Sequence, residues 1–305
     1  MNDERVMREV RGLLADAGLS GSFLVRDLAT GEEIGLDPDL EFPVASLVKV
    51  PLAVAVLGRI HDGRIDGSAL IDVAPGLITS PGPAGLSKFR HPARVAVDDL
   101  LYLTIAISDN AAADALFDLV PPAEVARAVR EAGITGIAVR HRMRDLVETP
   151  AERLGPGEVN LAHSLAIGSR TAGRGHLIPQ LDVSRANSGS ARAFVDLLEA
   201  LWLPSRVPAD VTAQVRSLMG ENVVRQRLTP DFSSDASKWS SKTGTLLNHR
   251  HEVGVVEHDD GGTFAVAALT ESNVPAAIQP AAEALMAQVA RTLHDQLRGS
   301  WHRPR

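Results

Sequence analysis

From Val50 to Leu57 the chain is an apolar run broken only by Pro51. A helix that is apolar on every side belongs in the middle of a protein, so the rest of the chain must wrap it. Its start is equally constrained. Pro43 turns Phe42 away from helical geometry, and Pro51 is tolerated only in a first turn. A short extended entry therefore leads into a helix that opens just before Pro51 and ends near Gly58.

Ser46 and Lys49 stand three apart at that start, on one face and a turn from each other. A serine hydroxyl becomes a useful nucleophile when a base takes its proton, and a neutral lysine amine one turn away can do so. First-turn N–H groups lack helical partners and can stabilise an oxyanion beside Ser46. A Ser-x-x-Lys pair also arises by chance about once in a chain of this length. Serines at helix starts are commonly only caps. The pair needs support from elsewhere.

Lysine usage supplies some. The 31 basic residues include just four lysines, Lys49, Lys88, Lys238 and Lys242. A chain that uses Arg for fixed charge keeps Lys where an amine able to lose its proton is needed, although codon bias produces the same pattern. A length of 305 residues with 45% apolar content allows one large or two intimate domains. The net charge of −7, without a basic run, argues against nucleic acid as a partner. No apolar run reaches membrane-spanning length, so no membrane partner is expected. The charged start Met1-Asn2-Asp3-Glu4-Arg5 lacks the apolar segment of a signal peptide. A cytoplasmic monomer is the expectation; a chain trimmed of its signal would read the same. The lack of cysteine removes disulfides, thiolate catalysis and cysteine-based zinc sites. His249 and His251 alternate on one strand face without a suitably spaced third ligand, so neither metal nor cofactor is expected.

In chain order, the spacing predicts an amphipathic helix over 3–17 and a hairpin of 22–27 with 32–36 around Ala29-Thr30-Gly31. The Ser46 helix follows, then a loop-rich stretch over 75–83. Further helices are expected over 95–107, with Asp98 and Asp99 in the first turn, and over 111–120 and 121–132. Residues 139–191 show no clear period. Helices return over 191–203 and 209–219, and a serine-rich approach leads to Lys242-Thr243-Gly244. Alternating runs over 252–257 and 263–270, joined by Asp259-Asp260-Gly261-Gly262, read as an antiparallel hairpin. An amphipathic helix over 280–297 closes the chain. The expected class is mixed α/β (α+β), an antiparallel sheet from both termini flanked by helices, with an inserted mostly helical lobe. The α/β lobe would take about 1–45 and 220–305, the helical lobe about 46–219.

Ser46-x-x-Lys49, Ser108-Asp109-Asn110 and Lys242-Thr243-Gly244 occur in this order at a helix start, an interhelical turn and a strand. On these three motifs the chain resembles the serine β-lactamase and penicillin-binding superfamily, and class A β-lactamases most. The resemblance implies that Ser46 is acylated with Lys49 as its base. It implies that Ser108 relays a proton to the leaving group and that Asn110 orients Lys49 and the substrate amide. Lys242 and Thr243, with Gly244 alongside, would hold the carboxylate of a small-molecule substrate. The N–H groups of Ser46 and Thr245 would form the oxyanion hole. Arg250 or His251 lies where the family often places a further cation. The class A string Arg-x-Glu-x-x-Leu-Asn, whose Glu activates the deacylating water, does not occur between Ser108 and Lys242. Glu148, Glu152 and Glu158 are the substitutes at hand, and the stretch from Ser108 to Lys242 is longer than in class A enzymes, with the excess near 161–185. Three functions follow: a serine hydrolase of β-lactams or related amides, a cytoplasmic acyltransferase or esterase, and a binder or sensor.

Overall fold

The computed structural model describes residues 3–146, 159–168, 175–274 and 278–300. The chain opens with helix α1 (Asp3–Asp16), strands β1 (Leu19–Asp27), β2 (Glu33–Leu36) and β3 (Glu41–Pro43), a 3₁₀ turn over Ala45–Val48, and helix α2 (Lys49–His61). Next come β4 (Leu70–Val73), the short α3 (Gly76–Thr79), β5 (Ala93–Ala96), α4 (Val97–Ala106), α5 (Asn110–Leu119) and α6 (Pro122–Glu131). β6 (Ile137–Ala138) precedes the segment without a clear period, which holds α7 (Val159–Gly168) and β7 (Ser188–Ser190). That segment is followed by α8 (Ala191–Trp202), α9 (Ala209–Gly220), the short α10 (Thr229–Phe232), β8 (Ser237–Leu246), β9 (His249–His258), β10 (Thr263–Ser272) and α11 (Pro280–Ser300).

One antiparallel sheet, ordered β2-β1-β10-β9-β8, joins strands from the two ends of the chain. The two-residue side-chain period divides each strand between two cores. Phe23, Val25, Val266 and Ala268 face α1 and α11, packing on Val10, Met286 and Leu293. Leu24, Ala265, Ala267 and Leu269 face the other helices. Helices thus cover both faces, and β9 is buried from His249 through Val256 despite its polar sequence. Helix α2 lies in the second core, with every residue from Val50 to Leu57 buried, as its composition requires.

Two elements differ from expectation. Val95 and Ala96 pair with Ile71 and Leu70 in a two-stranded ribbon, so α4 starts at Val97. β-Branched Val95 suits a strand, and β4 satisfies its backbone. The serine-rich approach to Lys242 is itself strand, paired with β9 from Ser237 onward. Glu148, Glu152 and Glu158 lie outside the described residues.

At the far end of the sheet a chain of side-chain contacts ties β9 to α11. Arg298 meets His258 Nδ1 at 3.2 Å, His258 Nε2 lies 3.0 Å from His294 Nε2, and His294 Nδ1 lies 2.8 Å from Asp295 Oδ1. Asp295 also pairs with Arg291, and Arg298 with Asp260. The carboxylate accepts from His294 Nδ1, and Arg298 can only donate to His258 Nδ1. The His258 Nε2–H must therefore donate to the bare His294 Nε2. These contacts hold His258 as a neutral imidazole. Burial, with the charge of Arg298, lowers His258 from its ordinary value to about 4. The unfolded histidine binds a proton near pH 6.5 and the folded one only near 4, so stability falls as pH drops through that interval. Urea unfolding between pH 7 and 4.5 is expected to show a steeper loss in the wild type than in His258→Gln. Equal slopes would exclude the pair as a source of acid lability.

Candidate active site

Ser46 sits in the 3₁₀ turn, and Lys49 follows as its cap and the first residue of α2. In a 3₁₀ turn positions i and i+3 eclipse, so the two side chains leave the backbone on one edge. Ala45, just before the serine, has φ +47°, and Ser108 has φ +59°. Each is a non-glycine residue in the left-handed region, a conformation that costs about 1–3 kcal/mol and is held by its surroundings. Strand β8 passes very close to this turn. A Cβ on Gly244 would come within 2.8 Å of the Val44 carbonyl oxygen, so Gly244 gives the turn room to approach the strand.

Both motif lysines are fully buried and meet at Ser108. Lys49 Nζ lies 2.6 Å from the Ser108 carbonyl oxygen, 2.8 Å from Asn110 Oδ1 and 3.3 Å from Ser108 Oγ. Lys242 Nζ lies 2.9 Å from Ser108 Oγ and 2.8 Å from the Thr243 carbonyl oxygen. The single Ser108 hydroxyl proton can serve only one amine at a time, so the hydroxyl bridges the two. None of the three Lys49 contacts goes to Ser46. Burial lowers Lys49 to about 7 against the pull of the Asp109 and Asp114 carboxylates, which brings its neutral form into reach near neutrality. Burial, with the charges of Lys49 and Arg227, lowers Lys242 well below the usual lysine range.

Two buried carboxylates, Asp109 of the motif and the unremarked Asp114, tie loops to α5. Asp109 caps α5 by accepting from Ala111 N at 2.9 Å, and it also accepts from Ser87 Oγ at 2.7 Å and from the Leu86 and Ser87 amides. A Cβ on Gly85 would meet its Oδ2 at 2.2 Å. Asp114 accepts from Ser80 Oγ at 2.6 Å, Met143 N at 2.7 Å and Arg144 N at 2.8 Å, drawing two loops onto α5. Its signal was there to read: one acid inside Ala111-Ala112-Ala113-Asp114-Ala115-Leu116.

These elements surround a cleft of about 820 Å³, within the size range of small-molecule sites. Ser46, Ser108, Asn110, Thr243 and Thr245 line it, with Ile107, Val223 and Leu246 among its apolar walls. Arg227 lines it too, and neither Arg250 nor His251 does. Arg250 Nη1 donates to the Leu247 and His249 carbonyl oxygens. His251 uses both ring nitrogens on backbone, Nε2 with Pro43 O at 2.9 Å and Nδ1 with Thr270 N at 3.2 Å. Burial takes it down to about 3, so it stays neutral. The cation that does line the cleft, Arg227, comes from outside the strand. Its Nε pairs with Glu283 at 3.0 Å, Nη1 reaches Gly244 O and His251 O at 2.9 and 2.7 Å, and Nη2 reaches Thr245 Oγ1. That accounts for four of five N–H groups and leaves one on Nη2, beside a Thr245 hydroxyl free to donate. Nothing in the local sequence marks Arg227, because its partners lie far along the chain.

The sequence model of the beta-lactamase enzyme family matches residues 5–297. The β-lactamase regulatory protein BlaB of Streptomyces cacaoi is 63% identical over 98% of this chain and 99% of its own length. A β-lactamase from Chitinophaga pinensis superposes with a TM-score of 0.76 at 20% identity, over 96% of this chain and 99% of its own. One from Sphaerobacter thermophilus superposes at 0.74 and 20% identity over 100% of both chains. At that identity the two structures speak for the fold alone.

Proposed function

We propose, from the premise that this chain belongs to the beta-lactamase enzyme family, that Ser46 accepts an acyl group from a β-lactam or a related amide or ester. The observation that carries this reading is the Ser108 hydroxyl, 3.3 Å from Lys49 Nζ and 2.9 Å from Lys242 Nζ at a cleft that Ser46 also lines. Ser46 Oγ attacks the carbonyl carbon and its proton passes to neutral Lys49. The oxyanion takes hydrogen bonds from the Ser46 and Thr245 N–H groups. The C–N bond (C–O in an ester) then breaks, the leaving atom takes the Ser108 proton, and the Lys49 ammonium, now holding the Ser46 proton, returns it to Ser108. Lys242, Thr243 and the spare donors of Arg227 and Thr245 bind the substrate carboxylate.

A regulatory use of that acyl-enzyme is the second reading. It draws on the name of the Streptomyces cacaoi relative and on the missing water-activating string between Ser108 and Lys242. A protein that reports a ligand gains from a long-lived adduct, whereas a resistance enzyme needs fast hydrolysis. Intact-mass measurement after benzylpenicillin or a p-nitrophenyl ester is expected to show one adduct, absent in Ser46→Ala. Ring opening is expected as a burst of about one equivalent and then a slow phase. Acceleration of release by small amines or alcohols would mark a transferase. An unmodified mass with every donor would remove Ser46 as nucleophile, and full turnover without trapped intermediate would favour the hydrolase.

A further inference from the structure

Glu252 is a fully buried carboxylate on β9 that the acylation steps do not use. Its Oε2 accepts from Leu228 N at 2.8 Å and its Oε1 from Trp239 Nε1 at 2.9 Å. The Ser241 hydroxyl also faces this carboxyl and helps hold its proton affinity down. Ser241 Oγ in turn accepts from Asn222 Nδ2 at 2.9 Å, and Asn222 Oδ1 accepts from Val224 N at 3.0 Å. Both ends of the segment 222–228 therefore lead to one carboxylate, Leu228 directly and Asn222 through Ser241. Between those ends stand Val223, Val224, Gln226 and Arg227, one wall of the cleft.

We propose that Glu252 is a positioning residue: it clamps the 222–228 wall to strand β8 and so aims the spare donor of Arg227 at the carboxylate of a bound acyl donor. This rests on the reading of Ser46 and Arg227 given above. A buried carboxylate costs several kcal/mol unless donors and opposite charge repay it. Here the donors are fixed N–H groups that cannot reverse, so both oxygens must be acceptors. Burial raises the Glu252 carboxyl above its ordinary range, and the Trp239, Leu228 and Ser241 contacts with the charge of Arg227 pull it back down. An apolar residue at 252 would strand the Leu228 and Trp239 N–H groups. A glutamine would keep the volume but turn an NH₂ group toward one of them.

The test compares Ser46 acylation by benzylpenicillin and by its methyl ester, which masks the carboxylate. In Glu252→Gln the apparent dissociation constant for benzylpenicillin is expected to rise about tenfold, the worth of one charge-assisted contact, with the limiting acylation rate nearly kept. The methyl ester should change less than about twofold, since it never used that contact. Arg227→Ala should show the same selectivity, and the double variant should be no worse than Arg227→Ala alone. Equal losses with both donors would reduce Glu252 to a general strut and overturn the proposal, as would unchanged binding of both. Hydrogen exchange on the ligand-free protein gives an arm independent of acylation. Glu252→Gln should lose protection at Leu228 and Val224 while α2 keeps its own, and unchanged protection there overturns the clamp. A wild type that no donor acylates would remove the Ser46 reading, and the exchange arm would then decide for or against the clamp.

Discussion

Replacing Lys49 by arginine is expected to slow acylation at Ser46 by about three orders of magnitude, nearly as much as replacing it by alanine. Arginine keeps the positive charge but cannot give up its proton, so it supports every electrostatic role of Lys49 and no basic one. The site shows why the distinction is sharp. Lys49 is fully buried, and burial lowers it to about 7, so a large fraction is neutral at physiological pH. In the wild type the acylation rate should accordingly rise with pH through about 7 and level off above it. Lys242→Arg should be milder, because either cation can hold a carboxylate. Single-turnover rates from pH 5.5 to 8.5 test all three statements. A Lys49→Arg protein that kept most of its rate would make Lys49 an electrostatic anchor and move the base elsewhere.

Asp109→Ala is expected to destabilise the protein by about 3–5 kcal/mol, at the upper end for one substitution. Alanine would leave the Leu86 and Ser87 amides without their acceptor, release the Ser87 hydroxyl and remove the cap of α5. Ser108 and Asn110 flank Asp109, so the loss should also loosen the contacts of Lys49 with both. Urea unfolding gives the stability and intact-mass kinetics the acylation rate. Asp109→Asn should fall between, since an amide oxygen can still cap the helix while its NH₂ group opposes one donor. A loss below about 1 kcal/mol in Asp109→Ala would show that water replaces the carboxylate and that the loop over 85–88 needs no such tie.

Chain order was enough for the elements whose cause is local. The all-apolar run after Pro51 required a buried helix, and the turn signals at Gly31 and Gly261 required hairpins. Ser46 and Lys49 stood out because their spacing has a chemical reason, and Ser108, Asn110 and Lys242 because their strings resemble those of the serine β-lactamase superfamily. The strand over 237–246 and the ribbon at Val95 were harder to read, because their signal lies in a partner strand and not in their own period.

The residues that only tertiary structure revealed are polar side chains whose partners are distant in sequence. Arg227 reaches Gly244 and Glu283, Asp114 reaches Ser80 and Arg144, and Glu252 reaches Leu228 and Trp239. Arg250 is the converse case, a cation in the expected place along the chain that the fold directs onto neighbouring carbonyls. Hydrophobic periodicity is a property of consecutive residues and survives in one dimension. The cost of burying a charge depends on which donors and counter-charges surround it, and folding alone brings those together.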